Sequence, residues 1–329
     1  MSPIRSRVRL AGFFLAIALC GCSDSGDPQH RPVELTVMTF NAWGAGSNQQ
    51  KNVDETVAVL RAADADIVGL QEVRAEADDC AADDCPASGA NDIAERLADA
   101  LGYHLYEQHE RNGALWANAI LSRYPVRGSI DDDLGVVLDV DGRTVAVINI
   151  HLTDYPYQPY QLLGIPYEDA PMLHTEEAAI SAAQAARGDA VALVLDRIAA
   201  LDGVDAVLVT GDFNEPSHRD WTRRAASSGR HPVAVDYPTV RAFEREGFVD
   251  AWRTVHPDEI AAAGFTWTPA TSADDPRDHH DRIDYVLVKG EGVLVNTAQV
   301  VGESQAVADI VVEPWPSDHR AVVATISIP

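Results

Sequence analysis

Apolar and polar positions follow two different periods along this chain. From Glu34 to Phe40 the apolar side chains Leu35, Val37, Met38 and Phe40 recur close to every second residue, which predicts a strand. Val53, Val57 and Leu60 recur every three or four residues, the spacing of one helix face. Ile67, Val68, Gly69 and Leu70 form a short apolar run that reads as a buried strand. Ile93, Leu97 and Leu101 predict a helix over 91–101, closed by Gly102. Residues 119–122 and 145–150 read as further strands. An Ala-rich helical region spans 175–201 with an interruption at Gly188, and strands follow at 206–210, 283–288 and 322–328. Strand and helix patterns that alternate in this way argue for a mixed α/β protein. No internal repeat or linker divides them, so one domain is expected over 33–329.

One segment breaks both periods. Between 154 and 171 stand Tyr155, Tyr157, Tyr160 and Tyr167, interleaved with Pro156, Pro159, Pro166 and Pro171. Proline removes amide donors, so the segment is expected to be a long ordered loop, neither helix nor central strand. Its rings could wall a binding site over a sugar, inositol, lipid headgroup or nucleobase. They could equally form a rigid cover packed on the body.

The N-terminus has a different composition. Arg5, Arg7 and Arg9 precede a ten-residue apolar stretch at 10–19, too short to span a bilayer and suited to a signal-peptide core. Leu19-Cys20-Gly21-Cys22 then resembles the bacterial lipoprotein signal. Cys22 fits lipidation better than Cys20, which follows a bulky Leu. Residues 1–22 are therefore expected to be a leader and 23–32 a polar tether. The protein is expected at the bacterial cell envelope, held to the membrane through a lipid anchor. Of the remaining cysteines, Cys80 and Cys85 close a short loop among Asp78, Asp79, Asp83 and Asp84. A disulfide in a solvated surface loop is expected there, since a soft-metal site would need more soft ligands nearby, with a cation site among the acids as the alternative.

Charge narrows the classes of partner. Against 25 Lys and Arg stand 51 Asp and Glu, a formal net charge of −26. Such a surface repels polyanions unless cations or a local basic patch intervene. Arg219, Arg223 and Arg224 are the nearest thing to a basic track, and they could simply be a helix face. A long nucleic acid is the less favoured partner, and a monomer is expected.

The polar residues that close the apolar runs carry the chemistry. Asn41 follows the first strand and Glu72 the second. His151 follows 145–150, and Asp212 and Asn214 follow 206–210. Asp284 lies in Asp281-Arg-Ile-Asp-Tyr285, and Asp318 and His319 precede the last strand. Carboxylates suit Mg²⁺, Mn²⁺ or Ca²⁺. An amide can bind a phosphoryl oxygen without adding charge, and imidazole can donate a proton or stabilise a developing oxyanion. Hydrolysis of a phosphoester asks for such a set.

The order of these residues resembles the endonuclease/exonuclease/phosphatase superfamily, also called the deoxyribonuclease-I-like fold. The matching stretches are Met38-Thr-Phe-Asn41, Asp66-Ile-Val-Gly-Leu-Gln-Glu-Val73, Asn118-Ala-Ile-Leu-Ser-Arg123, His151-Leu152, Gly211-Asp-Phe-Asn214, Asp281-Arg-Ile-Asp-Tyr285 and Ser317-Asp-His319. The resemblance implies a four-layered α/β sandwich, with two central mixed sheets flanked by helices. It implies a metal-dependent phosphoester hydrolase using Mg²⁺ or Mn²⁺. Glu72 would ligate the metal, with Asn41 close by, and Asp212 would orient or deprotonate the attacking water. Asn214 would bind a phosphoryl oxygen. His319, held by Asp284, would stabilise the transition state, and His151 would be the second imidazole. Asp318 would complete the metal site or steady His319. Nucleic-acid branches often carry an acid two residues after the first Asn, where this chain has Trp43. That position, with Tyr155, Tyr157 and Tyr160, points to a small-molecule or lipid-headgroup phosphodiester, such as sphingomyelin or an inositol phosphate. A secreted nuclease and an inactive binding protein are the alternatives. His279 and His280 could extend the site or be loop histidines.

Overall fold

The computed structural model describes residues 31–78 and 92–329. The expectations for the leader, Cys20, Cys22, the tether up to residue 30, Cys80 and Cys85 lie outside the described residues. Residues 32–329 form one compact unit.

Its elements, in chain order, are β1 (Val33–Asn41), α1 (Val53–Ala63), β2 (Ile67–Gln71), α2 (Ile93–Leu101), β3 (His104–Glu107), β4 (Ala119–Ser122), β5 (Val126–Ile130), β6 (Gly135–Val140) and β7 (Arg143–His151). Then come α3 (Gln158–Leu163), α4 (Glu176–Ala199), β8 (Ala206–Asp212), α5 (Arg223–Ser227), α6 (Pro238–Arg245), β9 (Val249–Asp250), α7 (Ala251–Val255), β10 (Asp284–Lys289), β11 (Leu294–Gly302), β12 (Ile310–Val311) and β13 (Ala321–Ile328).

Two mixed sheets carry the fold. One runs β12-β11-β13-β1-β2-β4-β3 and the other β5-β6-β7-β8-β10-β9. Each has a central parallel pair, β1 with β2 and β7 with β8, flanked by antiparallel neighbours, and the first sheet ends in a second parallel pair, β11 with β12. Leu35, Val37, Ile67, Val147, Leu208, Val286 and Val322 pack between the sheets. On the outer face of the first sheet, Met38, Phe40, Val68 and Leu70 pack with Val57, Leu60 and Leu97 of α1 and α2. On the other outer face, Ile148, Ile150 and Val209 pack with Val191, Val194, Val240 and Phe243 of α4 and α6. The result is the four-layered α/β sandwich expected. Its central strands are buried on both faces, so they read as continuous apolar runs.

A buried polar layer joins the two sheets close to the strand ends. Gln71 Nε2 donates to Asn149 Oδ1 at 2.6 Å, and Thr210 Oγ1 donates to the same atom at 3.1 Å. Asn149 Nδ2 donates to Gln108 Oε1 at 2.9 Å and to the Leu70 carbonyl at 2.8 Å. Each amide is satisfied on several sides, so the layer fixes how the sheets meet without leaving orphaned dipoles.

The structure corrects two expectations. The Tyr-Pro segment contains a helix, α3. Pro159 stands in its first turn, where a missing amide hydrogen is tolerated. The interruption expected at Gly188 is absent, and α4 runs unbroken from a Thr175 cap that accepts from Ala178 N. A single helical Gly costs only about 1 kcal/mol against Ala, which an Ala-rich helix packed on a sheet absorbs.

Candidate active site

Strand register sets the site. On the second sheet, His151 pairs with Asp212 across β7 and β8, and Asp212 pairs with Asp284 across β8 and β10. Residues paired in register point to the same face, so these three side chains form a row at one end of the sheet. On the first sheet Asn41 pairs with Gln71, which puts Glu72 one step beyond. The turn from Ser317 to Arg320 leads into β13, the antiparallel partner of β1, and brings Asp318 and His319 to the same end. Ser317 Oγ donates to the Asn41 carbonyl at 2.7 Å and pins that turn.

The backbone turns sharply where these side chains are presented. Trp43, Glu72 and Asn214 all have positive φ, at 45°, 52° and 47°. Each such conformation costs a non-glycine residue on the order of 1 kcal/mol or more, and is held here by the packed strand ends around it.

The side chains from the two sheets meet. Asn41 Nδ2 donates to Glu72 Oε1 at 2.7 Å and to Asp212 Oδ2 at 3.0 Å, while its Oδ1 accepts from Trp43 N at 3.1 Å. The amide nitrogen of Asn41 thus faces the carboxylates. His151 Nε2 lies 3.7 Å from Glu72 Oε1 and 3.8 Å from Asp212 Oδ2. His319 Nε2 lies 3.6 Å from Asp212 Oδ2, and its Nδ1 lies 3.0 Å from Asp284 Oδ2. Asn214 N donates to Asp212 Oδ1 at 2.9 Å, and Asn214 Nδ2 donates to the Leu152 carbonyl at 2.9 Å.

Burial and like charge dominate the electrostatics. Burial raises the pKa of Glu72, and burial together with Asp284 raises that of Asp212. Burial, reinforced by Glu72, pushes Asp318 up to about 7. Burial works against a charged His319, but Asp284 and Asp212 outweigh it and hold the imidazolium well above the ordinary histidine range. Asp318 Oδ1 and Asp284 Oδ1 are buried without a hydrogen-bond partner. Crowded, underpartnered carboxylate oxygens of this kind fit a hard divalent cation such as Mg²⁺ or Mn²⁺. Glu72 and Asp318 are the residues that would hold it, with Asp212 beside them.

These groups open into a cleft of about 580 Å³. Trp43, Trp116, Tyr157, Tyr160, Tyr167 and Trp267 supply its aromatic lining, and Glu76 and Asp154 add acids. Tyr157 and Tyr160 of the expected wall therefore reach the cleft. Tyr155 does not line it. Its hydroxyl donates to Asp169 and its ring packs edge-on against Tyr167 at 5.7 Å, so it braces the wall from outside. The basic residues considered from sequence are engaged elsewhere, Arg219 with Glu244 and Arg224 with Asp258 and Glu259. Neither these nor Arg223 lines the cleft.

The sequence model of the Endonuclease/Exonuclease/phosphatase family matches residues 38–319, from the strand before Asn41 to His319. The chain belongs to this family. Members of the endonuclease/exonuclease/phosphatase family are metal-dependent phosphoester hydrolases, and this chain is an enzyme of that class. It is similar, at 25% identity over 94% of this chain and 96% of the other, to the uncharacterized protein F14F9.5 of Caenorhabditis elegans. Solved structures share the fold. The endonuclease/exonuclease/phosphatase from Beutenbergia cavernae is 21% identical with a TM-score of 0.52, over 90% of this chain and 72% of that one. D. rerio TDP2 complexed with single strand DNA product is 15% identical with a TM-score of 0.53, over 89% and 98%. The 3′ phosphatase NExo from Neisseria, bound to product DNA hairpin, is 20% identical with a TM-score of 0.50, over 88% and 98%.

Several cleft residues were missed from the sequence. Trp267 bridges Asp281 and His319 by backbone pairing, and its ring lies 5.0 Å from that of His319. Trp116 packs edge-on to His151 at 6.0 Å. Both sit in loops with no periodic signal. The one available hint was an aromatic in an otherwise polar, Pro- and Gly-containing stretch.

Proposed function

We propose that this member of the family is a divalent-metal-dependent phosphodiesterase that cleaves a small-molecule or lipid-headgroup phosphodiester in the Asp212 cleft. The observation that carries the reading is the meeting of Asn41, Glu72, His151, Asp212, Asp284 and His319, six side chains from different strand ends, at separations of 2.7 to 3.8 Å. Mg²⁺ or Mn²⁺ bound by Glu72 and Asp318 would neutralise the phosphoryl charge. Asp212, raised in basicity by burial and by Asp284, accepts the proton of the attacking water. Asn41 steadies Glu72 and Asp212 through its amide nitrogen. Asp284 keeps Nδ1 of His319 protonated, so Nε2 presents a cationic donor to the phosphoryl oxygens as charge builds. His151 faces the same space and serves the leaving group or a phosphoryl oxygen. Asn214 orders Asp212 through its backbone amide and offers its side chain to the phosphoryl group.

The cleft's shape supports a small substrate. Six aromatic side chains accept the flat face of a ring, and aromatic faces beside Glu76 and Asp154 favour a quaternary ammonium headgroup. The net charge of −26 opposes a long polyanion. A second reading, action at a single-stranded nucleic-acid end, is favoured by the same aromatic surface, which would stack bases. D. rerio TDP2 and NExo, which share the fold, are described with DNA products. We also propose that the enzyme works at the bacterial cell envelope, lipid-anchored through Cys22.

Hydrolysis of sphingomyelin, glycerophosphodiesters, inositol phosphates, single-stranded oligonucleotides and plasmid DNA, each with Mg²⁺, Mn²⁺ and chelator, tests this. Metal-dependent turnover of a small diester, abolished in Asp212→Ala, is expected. Rapid oligonucleotide cleavage without small-diester turnover would select the second reading. Turnover that survives both chelator and Asp212→Ala would overturn the mechanism.

A further inference from the structure

Behind the aromatic wall of the cleft lies a second cluster that the hydrolytic chemistry does not use. His231 follows α5, and His279 and Asp281 lie in the loop before β10. His231 Nδ1 faces His279 Nε2 at 3.1 Å, and His279 Nε2 lies 3.9 Å from Asp281 Oδ1. One ligand atom from each residue falls within 4.8 Å of the others. His231 and Asp281 are buried, at 5% and 1% exposure.

We propose that His231, His279 and Asp281 bind a divalent transition metal of the zinc class, at a site separate from the cleft.

Four features support this. First, two imidazoles and one carboxylate make a borderline-soft donor set that suits Zn²⁺. The cleft offers mainly hard oxygens. Second, ligands at 2.0–2.1 Å from a tetrahedral ion stand about 3.3–3.4 Å apart, so the 3.1 Å nitrogen separation is already close to what a shared ion requires. Third, the ligands are oriented by their surroundings, as metal ligands are. Trp221 stacks on His231 with ring centroids 4.1 Å apart and planes 14° from parallel, and the His231 ring also bonds the backbone of Asp220. Trp221 Nε1 donates to Asp281 Oδ1 at 2.8 Å, and the Tyr157 hydroxyl donates to Asp281 Oδ2 at 2.8 Å. Fourth, three protein ligands leave one position of a tetrahedron for water, and His279, only partly buried, is the side from which water enters.

The position gives the ion a role. Tyr157 stands both in the cleft wall and on Asp281. An ion that fixes Asp281 also fixes Tyr157, and with it the Tyr160 ring packed against Tyr157 at 4.9 Å. The site would hold the substrate wall in shape and take no part in phosphoryl transfer.

The test is metal analysis of the full chain after dialysis against Zn²⁺, run on the wild type and on a Glu72→Gln, Asp318→Asn variant that weakens the cleft site. About one zinc per chain retained in that variant, and lost in His279→Ala, is the expected result. Co²⁺ loading should give the intense visible absorption of a tetrahedral N/O site, absent in His279→Ala. Tyr157→Phe, which removes only a hydroxyl on Asp281 and so avoids a folding failure, should weaken zinc binding by about 10-fold or more. Equal zinc content in wild type and His279→Ala would overturn the proposal. So would no retained zinc once the cleft ligands are changed, or affinity unchanged by Tyr157→Phe. Because zinc is read directly, these outcomes do not depend on which phosphodiester the cleft hydrolyses.

Discussion

Replacing Asp284 by Asn isolates the charge on His319 from the shape of the site. Asp284 is fully buried, and its Oδ2 lies 3.0 Å from His319 Nδ1. Asn preserves the outline and removes the negative charge. At 3.0 Å and an effective dielectric of about 20, that charge interacts with an imidazolium by roughly 5–6 kcal/mol. Asp212 Oδ2, 3.6 Å from the other ring nitrogen, still contributes on the order of 4–5 kcal/mol, so His319 keeps part of its cationic character. The loss specific to the transition state should therefore be about 3–4 kcal/mol, or 10²- to 10³-fold in kcat, with KM nearly unchanged. Initial rates on bis(p-nitrophenyl) phosphate at saturating Mg²⁺ measure it, with a thermal melt as control. The melting temperature should hold or rise, because Asp284 Oδ1 is a buried carboxylate oxygen without a partner. A variant that melts like the wild type and loses less than about fivefold in kcat would refute the claim that Asp284 acts by charging His319.

Further outcomes follow from other contacts. Gly69→Ala should destabilise by about 1–3 kcal/mol in chemical denaturation, because a Cβ there would collide with Thr210 Oγ1 and Asn149 Oδ1 in the layer that joins the sheets. Arg282→Ala should cost about 3–5 kcal/mol, since it leaves the buried Asp250 carboxylate, bonded at 2.8 Å, without its cation and leaves Asp220, bonded at 2.7 Å, with Arg253 alone. Hydrogen bonding to Arg224, opposed by burial, holds Glu259 down to about 2. Its contribution is present above the ordinary carboxylate value of 4.5 and is lost as pH falls towards 2, so Glu259→Gln should flatten the acid limb of a stability–pH curve in that window and cost about 1 kcal/mol at neutral pH. Trp43→Ala should raise KM by about tenfold for a ring-bearing diester and leave kcat within a small factor, as expected for a cleft wall outside the reacting groups.

Much of the catalytic end was legible in the sequence because its residues follow runs that can be read locally. An apolar run of four or five residues announces a buried strand, and the polar residue that closes it marks the strand end. Asn41, Glu72, His151 and Asp212 close such runs, whereas Asp284 opens its strand and is read from the stretch Asp281-Arg-Ile-Asp-Tyr285. The chain order of those strand ends, matched to a family, then gave the two-sheet sandwich. The sequence alone could not give the register that sets His151, Asp212 and Asp284 in one row, because pairing β7 with β8 and β8 with β10 joins residues far apart in the chain. Nor could it turn Asn41's nitrogen towards the carboxylates, since that follows from where Trp43 N lies. The aromatic wall shows the same limit. Tyr157, Tyr160 and Tyr155 are near neighbours of one composition, yet the start and first turn of α3 place the first two in the cleft and leave Tyr155 outside on Asp169. Trp116 and Trp267 come from loops whose paths depend on what they pack against. The cluster of His231, His279 and Asp281 was beyond local reading for the same reason. The sequence determined which chemistries were present and at which strand ends. Only tertiary packing decided which side chains face one another, because that depends on register and loop closure between distant segments.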